Sequence, residues 1–308
     1  MEAFAIPFLL FVGGLLALQA AANVQLSAAM ASPFGASTLQ LGIGAAVLAA
    51  LAAVAGSLGA LELLADAEPW ALVGGLGSAV YITAGILLVP RLGALVAVGL
   101  FIAGQMAASL ALDGFGWLGV AQDIPGLAAL GGAAAVVVGT LLIVRAQTGA
   151  EALEQAARER SGWLCLGLVA GAVLPVQGAI NAELNTELDA AVAVGAFSFL
   201  VATAAMALAL GGILAASAPR PQLAPLRGVP WWGWLGGLCG AIYVTSVFSL
   251  IPEIGAAPVV VLTVAGQQLA SVAVDRYGLL RLPRRQVSTR RLTGVALLLA
   301  GVALITLA

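Results

Sequence analysis

Two carboxamide pairs mark where this chain could do chemistry. Gln19 and Asn23 stand four residues apart in QAAANVQLSAAMASPFGASTLQLGIG (Gln19 to Gly44). Gln177 and Asn181 repeat the spacing in QGAINAELNTELDAAVAVGAFSFLVA (Gln177 to Ala202), at a constant offset of 158. Residues four apart share one face of a helix. Carboxamides donate and accept hydrogen bonds but do not titrate, so the chemistry on offer is recognition. In hydrocarbon such a face must turn toward protein or water, because unpaired amides are costly there. Gln105 with Ser109 and Gln267 with Ser271 repeat the four-residue spacing, and Tyr81 and Tyr243 fall mid-helix, where an interfacial aromatic belt does not explain them. All ten side chains are candidates to line a substrate pocket. The alternative is interhelical hydrogen bonding, at about 0.6 kcal/mol per bond on average. Ion coupling would need a titratable group, for which the candidates are Glu183, just past Asn181, and Asp113 and Asp275, each near a helix end. For Asp113 and Asp275 the plain alternative is a solvated carboxylate at the membrane surface.

The elements that carry these residues must be membrane helices. Of the 308 residues, 62% are hydrophobic and 8% charged, against roughly 25% charged in soluble domains. A crossing needs about 20 apolar residues. The pattern predicts ten, at roughly 4–26, 35–60, 70–89, 92–112, 125–145, 162–184, 191–216, 231–251, 256–275 and 291–308. Pro90-Arg91-Leu92-Gly93 and Pro252-Glu253-Ile254-Gly255 read as tight hairpins. Residues 1–146 form a first unit of five helices, 147–161 a charged cytoplasmic linker with a short surface helix, and 162–308 a second unit. Trp70, Trp231, Trp232 and Trp234 read as interfacial anchors. Cys165 and Cys239 read as packing residues. The opening segment is long enough to span and lacks a basic start, so it reads as a helix and not as a signal peptide.

The charges orient the helices. All twelve basic residues are arginines, and with ten crossings every one of them falls on one side. The other side holds ten of the fourteen acids. Arginine-rich loops stay in the cytoplasm, which puts both termini outside. A topogenic role is sufficient for the basic loop from Arg276 to Arg291.

The repeat extends beyond the amide pairs. GGLGSAVYITAGILLVPRLGA (Gly74 to Ala94) matches GGLCGAIYVTSVFSLIPEIGA (Gly236 to Ala256), and AGQMAASLALDGFG (Ala103 to Gly116) matches AGQQLASVAVDRYG (Ala265 to Gly278), both at an offset of 162. Five helices per unit, an odd number, force the second copy to insert upside down. Arg91 and Glu253 occupy equivalent hairpins with the charge each orientation requires. Inverted repeats are a transporter plan, with the site between the copies near the midplane.

A duplicated, inverted five-helix unit with short hairpins resembles the drug/metabolite transporter superfamily. The Q-x3-N pair and the GQ-x3-S-x3-D-x-[FY]-G stretch resemble its YdcZ-type branch of inner-membrane exporters. That branch is similar to the small multidrug resistance transporters, which work as antiparallel dimers of short units. Glycines seven apart, Gly132 and Gly139 and again Gly294 and Gly301, match the spacing that makes the dimer contact there, and small residues let helices approach closely in lipid. The resemblance implies a bacterial inner-membrane exporter of small organic molecules working by alternating access. It departs at one point. The small multidrug transporters carry a buried, proton-binding Glu on the first helix, where this chain has Gln19 and Asn23.

The chain contains no histidine and no lysine, so the usual players of hydrolytic, Schiff-base and metal chemistry are missing. An enzyme, a metal site and a cofactor are therefore not expected. The expected partners are a small-molecule substrate and the lipid bilayer, not nucleic acid. The assembly is expected to be a monomer of two fused halves, open to self-association. The competing reading is a membrane scaffold or sensor that keeps the fold without transporting.

Overall fold

The computed structural model describes residues 2–148, 161–281 and 288–307. Every regular element among them is helical: α1 (Glu2–Met30), α2 (Pro33–Val54), α3 (Leu76–Phe115), α4 (Leu127–Thr148), α5 (Ser161–Leu188), α6 (Ala191–Ala215), α7 (Gly236–Ile254), α8 (Ala256–Tyr277) and α9 (Thr289–Thr306), with short 3-10 turns between some of them. The linker expected at 147–161, with Arg158 and Arg160, lies almost entirely outside the described residues, as do Arg284 and Arg285.

The element α3 contains two of the predicted helices. It is 40 residues of continuous helical assignment, yet the Tyr81 and Phe101 rings lie 4.9 Å apart. A straight helix would separate positions 20 residues apart by about 30 Å. The chain therefore doubles back between them, where the hairpin at Pro90 to Gly93 was expected. The two arms run in opposite senses along α5. Gly77 faces Gln177 and Gly74 faces Asn181 in the first arm, whereas Gly104 faces Leu168 and Gly119, beyond the second arm, faces Glu183. In the second half the matching reversal is an open break at Gly255, φ 85°.

Nine segments of 18 residues or more are apolar enough to cross a membrane among the described residues; the first arm of α3, extended back to Ala71, and its second arm count separately. Leu127–Ile143 in α4 is a shorter apolar helix. Large apolar side chains point outward, Leu127 at 90% and Leu208 at 77% exposed, as lipid-facing positions do. α5 continues through Pro175. Cys239 is buried as expected, but Cys165 is exposed. Arg291, expected in a surface loop, lies in the first turn of α9 and is 1% exposed.

The two halves meet through glycines, in symmetric pairs. A Cβ at Gly13 would strike the Thr263 carbonyl, and one at the equivalent Gly171 the Phe101 carbonyl. Gly266 on Leu10 is matched by Gly104 on Leu168, and Gly75 on Ser198 by Gly237 on Gln40. α4 and α9 cross antiparallel, with a Cβ at Gly132 falling 2.7 Å from the Gly301 carbonyl and one at Gly139 2.7 Å from that of Gly294. The seven-residue glycine spacing thus joins the two halves of one chain.

Candidate functional site

Between the halves lies a cavity of about 140 Å³, walled by α1, α2, α3, α5, α6, α7 and α8. Gln19, Asn23, Tyr81, Tyr243 and Gln267 line it, together with Ser78 and apolar side chains such as Phe199. Among the described residues, none that lines it is charged. At Asn23 and Tyr81 it meets a larger vestibule of about 730 Å³, whose walls add Ser27, Ser37, Gly85 and Phe101. The vestibule reaches the end of the bundle where α1 stops and α2 starts. The connection bearing Arg220 and Arg227 packs on that same end: the Gln222 amide donates to the Met30 carbonyl at 2.9 Å, and Leu226 packs with Leu26, Met30 and Ala36. Arg91, at the fold-back of α3, lies 4.5 Å over the Trp163 ring.

The repeat predicts a symmetric site, and the structure is not symmetric. Gln177 and Asn181 do not line the cavity. The Ser78 hydroxyl donates to Gln177 Oε1 at 3.0 Å, and Asn181 Nδ2 donates to Ser198 Oγ at 3.0 Å. Both amides are buried, and their face is spent on holding α3, α5 and α6 together. Around Gln19 and Asn23 those hydroxyls are missing. Gly240 stands where Ser78 does, and Gln40 stands where Ser198 does; Gln40 turns away and donates to the Gly233 carbonyl at 3.5 Å. Asn23 Oδ1 is left buried with no hydrogen-bond partner among the described residues. The missing hydroxyl was legible in the alignment of GGLGS with GGLCG.

The other candidates divide as well. Gln267 lines the cavity, whereas its equivalent Gln105 is buried away from it at 4% exposure. Ser109 donates to the Met106 carbonyl one turn back, and Ser271 is half-buried outside the cavity. Glu183 packs on Gly119 at the opposite end from the vestibule and does not reach the cavity. Asp113 is no solvated carboxylate: it is 6% exposed, and it accepts from the amides of Ala256 and Ala257 at 2.7 and 2.6 Å. It caps the N-terminus of α8, a helix of the other half, where a negative charge is favoured by the helix dipole. The Asp275 side chain lies outside those described.

The vestibule exists in one half only. The positions equivalent to Gly85, Ile86 and Phe101 are Val247, Phe248 and Thr263, which are 5%, 0% and 1% exposed. Gly178, equivalent to Ala20, packs on Ile251 and Val247. The same wall is open at one end of the bundle and filled at the other, the end that Asp113 clamps.

A family profile described as "Putative inner membrane exporter, YdcZ" matches the chain in two segments, residues 4–142 and 162–304. The chain belongs to the YdcZ family. The two matched segments fall one on each half of the chain, so the YdcZ profile divides where the internal repeat does. As a YdcZ-family protein, the chain is a multi-pass membrane transporter of the inner-membrane exporter type. No curated protein matches it. A solved crystal structure described only as that of a protein superposes with a TM-score of 0.68, over 99% of this chain and 97% of that one, at 20% identity. That likeness concerns the fold.

The split between the amide pairs has a measurable consequence. Asn181→Ala strands the Ser198 hydroxyl and lowers stability by about 1–3 kcal/mol. Asn23→Ala removes a buried acceptor that has no partner among the described residues, so stability is expected to stay level or rise. Thermal melts of the two variants in detergent check this, and equal losses would contradict the division.

Proposed function

We propose that the protein exports small organic molecules by alternating access between two inverted five-helix repeats. In this reading ten segments cross the membrane, with the chain 127–143 as the fifth, both termini outside and the arginine-bearing connections in the cytoplasm. The vestibule is then a cytoplasmic entrance, the cavity is the binding site, and Gln19, Asn23, Tyr81, Tyr243 and Gln267 contact the solute.

One observation carries the reading: equivalent wall positions of the two repeats are open in one copy and packed in the other. Two copies of one sequence pattern in two conformations are what an exchange mechanism needs. Exchanging the conformations would close the vestibule and open the opposite end. The symmetry also names the clamps. Asp113 on Ala256 and Ala257 in the present state corresponds to Asp275 on Ala94 and Leu95 in the other. Among the acids offered for coupling, Asp113 and Asp275 are thereby assigned to gating, and Glu183 to neither gating nor binding.

The test is a solute screen on purified protein in liposomes, recording current and lumenal pH together. Solute-dependent flux lost in Asn23→Ala supports a transporter with its site between the halves, and the pH trace reports proton coupling. Absence of flux for every solute, with Asn23→Ala as silent as the parent, would favour a scaffold.

A further inference from the structure

We infer that the central cavity takes an uncharged, flat solute presenting a hydrogen-bond donor and acceptor side by side, the chemistry of a carboxamide on a ring. The inference rests on the transport reading and names the substrate class of that same site.

The first argument is charge. Among the described residues, no ionised side chain lines the cavity. Of the acids offered for coupling, Asp113 is engaged on the α8 amides and Glu183 against Gly119. An ion placed here would lose hydration without gaining a counter-charge, which is strongly unfavourable in an enclosed site.

The second argument is unspent hydrogen bonding. Ser78 and Ser198 satisfy Gln177 and Asn181, the second-half pair. Around the first-half pair the equivalent positions are Gly240 and Gln40, and Asn23 Oδ1 is buried without a partner among the described residues. A buried acceptor with no partner carries its full desolvation cost, and a ligand N–H relieves it. Carboxamides carry donors and acceptors together, so Gln19, Asn23 and Gln267 complement a group that does the same. Gly240 is also what makes room, since a Cβ there would lie 2.8 Å from Gln19 Nε2.

The third argument is shape. Tyr81, Tyr243 and Phe199 line the space, and aromatic walls favour a flat ring between them. The volume of about 140 Å³ is near that of an engineered cavity of about 150 Å³ that accommodates benzene.

Benzamide, benzamidinium and benzoate share one outline and differ in charge, so they form the test. Binding of each to the full-length protein in nanodiscs is measured by calorimetry. Benzamide is expected to bind about ten-fold tighter than either ion. Asn23→Ala is expected to weaken it about ten-fold, and Gly240→Ser, which gives Gln19 the hydroxyl that Ser78 gives Gln177, to weaken it likewise. Melting temperatures at or above the parent's would show both variants folded. Equal or tighter binding of either ion, no benzamide binding, or benzamide binding untouched by both variants overturns the inference. Flux of a charged solute without benzamide binding would refute the substrate class and leave the transporter standing. Benzamide binding without flux of any solute would do the reverse.

Discussion

Asp113→Asn is expected to abolish most solute flux while leaving the protein folded. The carboxylate accepts two backbone amides from the start of α8, across the boundary between the halves. Hydrogen bonds to a charged group contribute about 1.5–3 kcal/mol, and the α8 dipole adds to them. A neutral amide keeps the size, gives up the charge, keeps one acceptor and turns a donor toward the other backbone amide. The closed state of that end then loses about 1.5–3 kcal/mol, a shift of roughly 10- to 150-fold in the balance between the two states. Solute binding from the vestibule side weakens because the vestibule-open state is depopulated. Asp275→Asn is expected to shift the balance the other way. Labelling of a cysteine placed at Val247, 5% exposed in the filled wall, reports the first shift as faster modification. Equal labelling rates in parent and Asp113→Asn would reduce the contact to a static cap.

The second large effect is on stability. Gly266→Leu puts a Cβ onto the Leu10 carbonyl, and Gly171→Leu puts one onto the Phe101 carbonyl. The obstacle in each case is backbone in a packed helix, which cannot swing aside. Overpacking of this kind costs about 3 kcal/mol or more, which lowers the melting temperature by roughly 6 to 12 °C. Gly211→Leu on α6, with nothing within 4 Å of its Cβ, is the matched control and is expected to melt like the parent. Equal behaviour of all three would mean that the halves do not meet through these glycines.

The repeat, the hairpin at Pro90, the seven-residue glycine spacing of α4 and α9 and the membrane class were all legible in the sequence, because each depends on local pattern or on pairs at fixed offset; the other seam glycines were not. What was not legible is the asymmetry. Gln105 and Gln267 sit in near-identical AGQ contexts, yet only Gln267 reaches the cavity. The motif around each glutamine does not decide that; the surroundings do, with Ser78 in one copy and Gly240 in the other. Asp113 was missed as a clamp because its partners lie 143 and 144 residues away, and backbone amides leave no mark in a sequence. Phe101 was missed for a related reason: its place in the vestibule wall comes from the fold-back of α3. Ser78 could have been found, since the repeat puts a glycine opposite it.

The central claim is that the two ends of the bundle open in alternation around one cavity. Pulsed electron resonance on spin-labelled protein in nanodiscs tests it directly, with Cys165 and Cys239 replaced. One label pair spans the vestibule, at Ala28 and Ile86; the other spans the clamped end, at the exposed Asp123 and Glu253. Asp113→Asn is predicted to shorten the first distance and lengthen the second in the same sample. Distances that stay fixed, or that lengthen together, would contradict alternating access.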